Sequence, residues 1–155
     1  MSNVEKRVEQ LGLKLPERNR KGRGTCRFKI SGDLLFITGT EPTGEDGNPA
    51  FVGRVGSDLT LEEGYKAGRL VGINMLTTIQ DALGDLDRVD YFIKCMALVS
   101  APVGFTQLPE VANGFTDLMT EVFGERGMHA RSAMGASVLN NNVPIICDAI
   151  IKIRD

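Results

Sequence analysis

Apolar positions along the chain switch between a period near 3.6 and a period of two, and the switches mark out the elements. Val4, Val8 and Leu11 fall on one side of a short helix over 4–11. Cys26, Phe28 and Ile30 alternate with Arg27 and Lys29, the pattern of a half-exposed strand. Ser31-Gly32-Asp33 then supplies a turn into a second strand over Leu34 to Thr38, so the pair reads as a hairpin. Gly39 to Gly56 is rich in glycine and proline and reads as a loop. Thr60 opens the longest helical run, to Leu83, with Glu62 and Glu63 at its positive end and Gly84 beyond its last turn. Arg88 to Ser100 alternates again. Val89, Tyr91, Ile93, Cys95, Ala97 and Val99 lie on one face, and Phe92, Met96 and Leu98 on the other. Phe105 to Phe123 returns to helical spacing through Leu108, Val111, Ala112, Phe115, Met119 and Val122. Arg131 to Leu139 and Ile145 to Ile153 read as strands, with Asn140-Asn141-Asn142 as a hairpin turn between them.

The order β-β-α-β-α-β-β after a leading helix gives an α+β fold. Two long helices cover one face of a four- or five-stranded sheet. The whole of 1–155 reads as one domain, with 1–24 as an N-terminal helix and loop. Gly64, Gly68 and Gly72 recur at every fourth position of the first long helix. Each costs roughly 1 kcal/mol against alanine, which close packing of the helix backbone on the sheet would offset. The sheet face without helices carries Met96, Leu98, Met134, Ala136, Ile146 and Ile150. An apolar face of that extent calls for copies of the same chain, which predicts a homo-oligomer.

Composition narrows the function. Hydrophobic residues make up 42% and charged residues 25% of the 155, as in a folded globular chain. The net charge of −2 argues against nucleic acid as a partner. The basic run Glu17 to Gly24 reads as a solvated linker. No stretch approaches the roughly 18 apolar residues of a membrane span. Three cysteines, an odd number without ligand spacing, fit a reduced cytoplasmic compartment, and each reads as a small core residue. Gly22-x-Gly24 and Gly44-x-x-Gly47 lack the context of a phosphate-binding loop, and a single histidine, His129, cannot build a multi-histidine metal site. The expectation is no metal and no organic cofactor.

Two charges stand out. Asp148 interrupts the apolar strand Ile145 to Ile151, a costly place for a carboxylate without a partner or a cavity. Arg131 opens the preceding strand. The expected hairpin places Asp148 opposite about Met134, within reach of the Arg131 side chain or a bridging water. A structural ion pair at the sheet edge and a guanidinium fork for a small carboxylate both satisfy this pattern.

The stretch Ala130-Arg131-Ser132-Ala133-Met134-Gly135, then Leu139, then Ile145 to Ile150, resembles the C-terminal signature of the reactive-intermediate deaminase (YjgF-like) family. Gly32 to Gly39 resembles that family's first hairpin, Val111 to Phe115 its helix motif, and Val52 to Tyr65 with Ala82 to Val89 a longer subgroup. The resemblance runs from about Thr25 to the C-terminal strand. It implies a chorismate-mutase-like fold and a homotrimer with clefts between subunits. It also implies cofactor-free hydrolysis of enamines and imines such as 2-aminoacrylate to 2-keto acids and ammonia. On the matching positions it makes Arg131 the carboxylate-binding arginine and Asp148 the cleft acid, one methylene shorter than the family's glutamate. Thr38, Gly39, Asn113 and Phe115 take the remaining substrate-binding positions. The family's cleft tyrosine falls near Thr25 or Cys26, and the cysteine two residues after the arginine is Ala133. The missing tyrosine and the shortened acid motivate an alternative, a non-catalytic carboxylate-binding or regulatory trimer. Ribonuclease activity, attributed to some family members, is disfavoured by the net charge and the lack of a histidine pair.

Overall fold

The computed structural model describes residues 2–17 and 23–155. Its elements are α1 (Asn3–Gln10), β1 (Phe28–Ser31), β2 (Leu34–Thr40), α2 (Leu61–Leu83), β3 (Val89–Ser100), α3 (Leu108–Phe123), β4 (Ala130–Ala136) and β5 (Ile145–Ile153). Most of the basic run over 17–24 lies outside the described residues. The five strands form one sheet in the order β1-β2-β5-β3-β4. β1 and β2 are the expected hairpin. β5 runs antiparallel to both β2 and β3, and β4 runs parallel to β3.

The expected hairpin between the last two strands does not form, because β3 lies between them. A parallel β3-α3-β4 crossover sets β4 on the outer edge, and the slot left for an antiparallel strand is between β2 and β3. The connection passes the end of β3: Ala101 N donates to Ala136 O at 3.1 Å and Ser100 N to Pro144 O at 2.8 Å. Asn141 and Asn142 both take φ 54°, the left-handed conformation that asparagine tolerates best after glycine.

Helices α2 and α3 cover the face that carries Cys95, Ala97, Val99, Cys147, Ala149 and Ile151, all buried. The face assignment in β3 needs one correction. Its register with β5 slips between Val89 and Tyr91 and again between Phe92 and Lys94. These irregularities turn Phe92 into the core, at 2% exposure, and leave Tyr91 46% exposed.

The glycine stripe of α2 packs against α3 and not against the sheet. A Cβ on Gly68 would lie 2.9 Å from Val111 O, and one on Gly72 would lie 2.7 Å from a Leu118 methyl. Across the crossing, a Cβ on Gly114 would lie 2.0 Å from Tyr65 O. The backbones therefore meet where neither helix carries a side chain, and this sets the position of α3 over β4. Thr60 caps α2 with a reciprocal box, its hydroxyl accepting from Glu63 N at 3.1 Å and Glu63 accepting from Thr60 N at 2.7 Å.

α1 is short for an isolated helix and is held from outside. Asp87 accepts from Asn3 N at 2.7 Å and Val4 N at 2.9 Å, while Val4 and Val8 are buried. Asp87→Ala is expected to cost about 1 kcal/mol, the worth of a lost helix cap. Faster amide exchange confined to 3–10 would report it.

Candidate functional site

Arg131 sits near the start of the edge strand β4, paired with Cys95 and therefore on the helix-covered face. Its Nη1 donates to Asn113 Oδ1 at 2.9 Å and to Thr116 Oγ1 at 3.0 Å. Asn113 and Thr116 are three apart on α3, so both reach the same edge. Both hydrogens of Nη1 are thus engaged by helix side chains. Among the described residues, Nη2 and Nε meet no hydrogen-bond partner, and together they form the side-on edge that matches a carboxylate.

The support continues behind Thr116. Its Oγ1 lies 3.2 Å from His129 Nε2, and His129 Nδ1 lies 2.7 Å from Gly127 O. A carbonyl can only accept, so Nδ1 carries the proton, and the neutral ring receives the Thr116 hydroxyl on Nε2. The ring lies between Phe92 and Phe115, with centroids at 6.1 and 5.7 Å. Burial, and then the charge of Arg131, hold His129 below the usual histidine value, against an opposing hydrogen bond to Gly127 O.

The other expected residues are distributed differently. Asp148 pairs with Met96 and lies on the open face, where its Oδ1 accepts from Met96 N at 3.0 Å. One chain therefore does not bring Asp148 to Arg131, and the expected contact fails because β3 separates the strands and the two side chains leave opposite faces. Lys94 and Ser132 share the open face with Asp148, joined at 2.9 Å. Phe115, expected at a substrate-binding position, is fully buried and packs against the His129 ring instead.

Thr38 and Gly39 lie near the end of β2, just before Thr40, and line a cavity of about 310 Å³ with Thr25, Cys26, Arg27 and Asn74. β5 and β3 stand between β2 and β4, which puts this cavity roughly 14 Å from Arg131 by strand spacing. Cys26 is exposed in the cavity, contrary to its reading as a core residue. Cys95 and Cys147 are buried. The neighbouring Cys95 and burial push the Cys147 thiol well up, away from nucleophilic character.

Thr116 carries no motif that marks it as a site residue in the sequence. The available signal was its position three residues after Asn113. In the sequence His129 stands out only as the single histidine, too few for a metal site, although strand alternation places it two residues before Arg131, on the same face.

The model of the "YjgF/chorismate mutase-like, putative endoribonuclease" family matches residues 5–151. The chain belongs to the YjgF family. A relative of this YjgF-family chain, Protein TCP17 of Trypanosoma cruzi, is 34% identical over 149 residues, covering 96% of this chain and 92% of its own. The crystal structure of Atu1372 from Agrobacterium tumefaciens, a protein of unknown function, superposes with a TM-score of 0.90 at 34% identity, over 97% of this chain and 94% of that one. YyfA of the Rid family from Yersinia pestis shares the fold, with a TM-score of 0.58 at 17% identity over 84% of this chain and 88% of its own. Among the described residues of this YjgF-family chain, no helix is long and apolar enough to cross a membrane. None of these residues form a group of three or more His, Cys, Asp or Glu placed to hold a metal.

Proposed function

We propose that this chain hydrolyses reactive enamines and imines bearing a carboxylate, of the 2-aminoacrylate type, to 2-keto acids and ammonia. The observation that carries the reading is the Arg131 fork, anchored by one nitrogen on α3 and presenting its other edge outward. A fork fixed in this way orients a small carboxylate at low entropic cost. The enamine tautomerises to an imine, water adds to the imine carbon, and the carbinolamine expels ammonia. The chemistry asks little beyond orientation and a held water, and no metal or organic cofactor enters it.

The site extends across copies in this reading. Thr38, Gly39 and the cavity beside them belong to the far end of the sheet, and Asp148 to the open face. They approach Arg131 only from a neighbouring subunit. Phe36 and Met134 are 39% and 49% exposed on the open face, beside the half-buried Met96, Leu98, Ile146 and Ile150. This supports a homotrimer with inter-subunit clefts. Phe36→Glu is expected to drive the assembly toward monomer with its helical circular dichroism retained, which sedimentation would read.

A second reading is favoured by one observation. The candidate acid, Asp148, already accepts a backbone hydrogen bond and is not beside Arg131 in its own chain. The protein would then bind small carboxylates without turnover. A coupled assay separates the two, with a dehydratase generating 2-aminoacrylate and keto acid formation followed against buffer. Acceleration above spontaneous hydrolysis supports the deaminase. Saturable keto acid binding without acceleration supports the binding protein.

A further inference from the structure

We propose that His129 and Thr116 are positioning residues that link carboxylate binding at Arg131 to the protonation of His129. The inference rests on the reading of Arg131 as a carboxylate site and adds to it a proton-linked control. Arg131 Nη1, Thr116 Oγ1 and His129 Nε2 form a chain of contacts of 3.0 and 3.2 Å. In the neutral state the Thr116 hydroxyl points its hydrogen at Nε2 and accepts from Arg131 with its lone pairs. When His129 gains a proton, Nε2–H points at Oγ1 instead. The hydroxyl hydrogen turns away, and Oγ1 still accepts from Arg131. The relay can therefore reverse while the guanidinium stays anchored. What changes is charge: an imidazolium now stands one hydroxyl away from a guanidinium.

That repulsion opposes protonation while the fork is empty. A carboxylate on Nη2 and Nε offsets the Arg131 charge and removes much of the opposition, so ligand binding draws a proton to His129. Linkage is reciprocal, so protonation tightens carboxylate binding by the same factor. The surroundings leave one partner for this effect. α3 presents Thr116 and Phe115 to the ring, β3 presents Phe92, and the turn before β4 presents the Gly127 carbonyl. Arg131 on β4 is the charged group that acts on it. Arg126, on the same turn, donates to Val89 O at 2.7 Å.

His129 is the only histidine in the sequence, so its imidazole gives a single spin system in the intact protein. The probe is 2-oxobutyrate, whose carboxylate stays ionised from pH 5 to 8. Four results are expected. The free protein shows the Nδ1–H tautomer, and 2-oxobutyrate raises the His129 midpoint. Its affinity is about tenfold tighter at pH 5 than at pH 8. His129→Gln, which keeps a side-chain hydrogen-bonding group and cannot titrate, still binds but with a flat pH profile. Two arms need no ligand: Arg131→Gln raises the His129 midpoint, and Thr116→Val shifts its tautomer balance. A midpoint and tautomer indifferent to both substitutions overturn the linkage, as does saturating 2-oxobutyrate that leaves the midpoint unmoved. If 2-oxobutyrate does not bind at all, the carboxylate reading fails, and the two ligand-free arms still decide the relay.

Discussion

Arg131→Ala is expected to lower keto acid affinity and any enamine hydrolysis about 100-fold or more while leaving the fold and assembly intact. The size follows from the lost contacts. A bidentate carboxylate grip comprises two charge-assisted hydrogen bonds, each worth roughly 1.5–3 kcal/mol, and each 1.4 kcal/mol is tenfold. The fold should survive because Arg131 is on an edge strand, and its partners Asn113 and Thr116 are half-buried, so water can satisfy them. Arg131→Lys should recover little, because an ammonium cannot bridge Asn113, Thr116 and a carboxylate at once. Isothermal titration with 2-oxobutyrate beside sedimentation of the variant checks both halves. Loss of the assembly together with binding would recast Arg131 as a structural residue.

Gly114→Ala is expected to be strongly damaging for a single added methyl, lowering the melting temperature by roughly 6–12 °C. Its Cβ would lie 2.0 Å from Tyr65 O and 2.9 Å from Arg69 N. Both are backbone atoms of α2, and no rotamer relieves the clash. The helices would have to separate along a contact that also includes Gly68 against Val111 O. Overpacking of this kind costs about 3 kcal/mol or more, and in a domain of this size each kcal/mol is worth roughly 2–4 °C. Gly104→Asn is the control: Gly104 has a positive φ but no heavy atom within 4 Å of a built Cβ, so it should lose only about 1 kcal/mol. Separation of α2 from α3 also displaces Asn113, so residual folded protein should bind keto acid poorly. Thermal melts and titrations on both variants check the pair.

Local order was the part of this structure most open to reading from the sequence. The spacing of Val4 and Val8, the Thr60 cap and Gly84 stop of α2, and the alternation of Ile145 to Ile153 each mark an element that forms within a residue or a few of its expected bounds. What stayed hidden was order across the sheet. β4 and β5 are adjacent in sequence and separated in space, and a linker over 137–144 is long enough to serve a hairpin or to step past β3. The bulges in β3 were equally invisible, since alternation alone cannot locate an extra residue. The site suffered most from this. Arg131 was recognisable from its motif, but the face it occupies depends on the parallel pairing with β3, and so does its separation from Asp148. The glycine stripe announced a close approach without saying which partner fills it. Gly114 on the facing helix, a second glycine at the crossing, was the available clue.

The most direct measurement is a crystal structure of the assembled protein soaked with 2-oxobutyrate. The expected result is the ligand carboxylate on the Nη2 and Nε edge of Arg131, with Thr38 and Gly39 of a neighbouring copy closing over it. A ligand bound elsewhere, or an Arg131 edge occupied by a protein carboxylate from the adjoining subunit, would contradict the account.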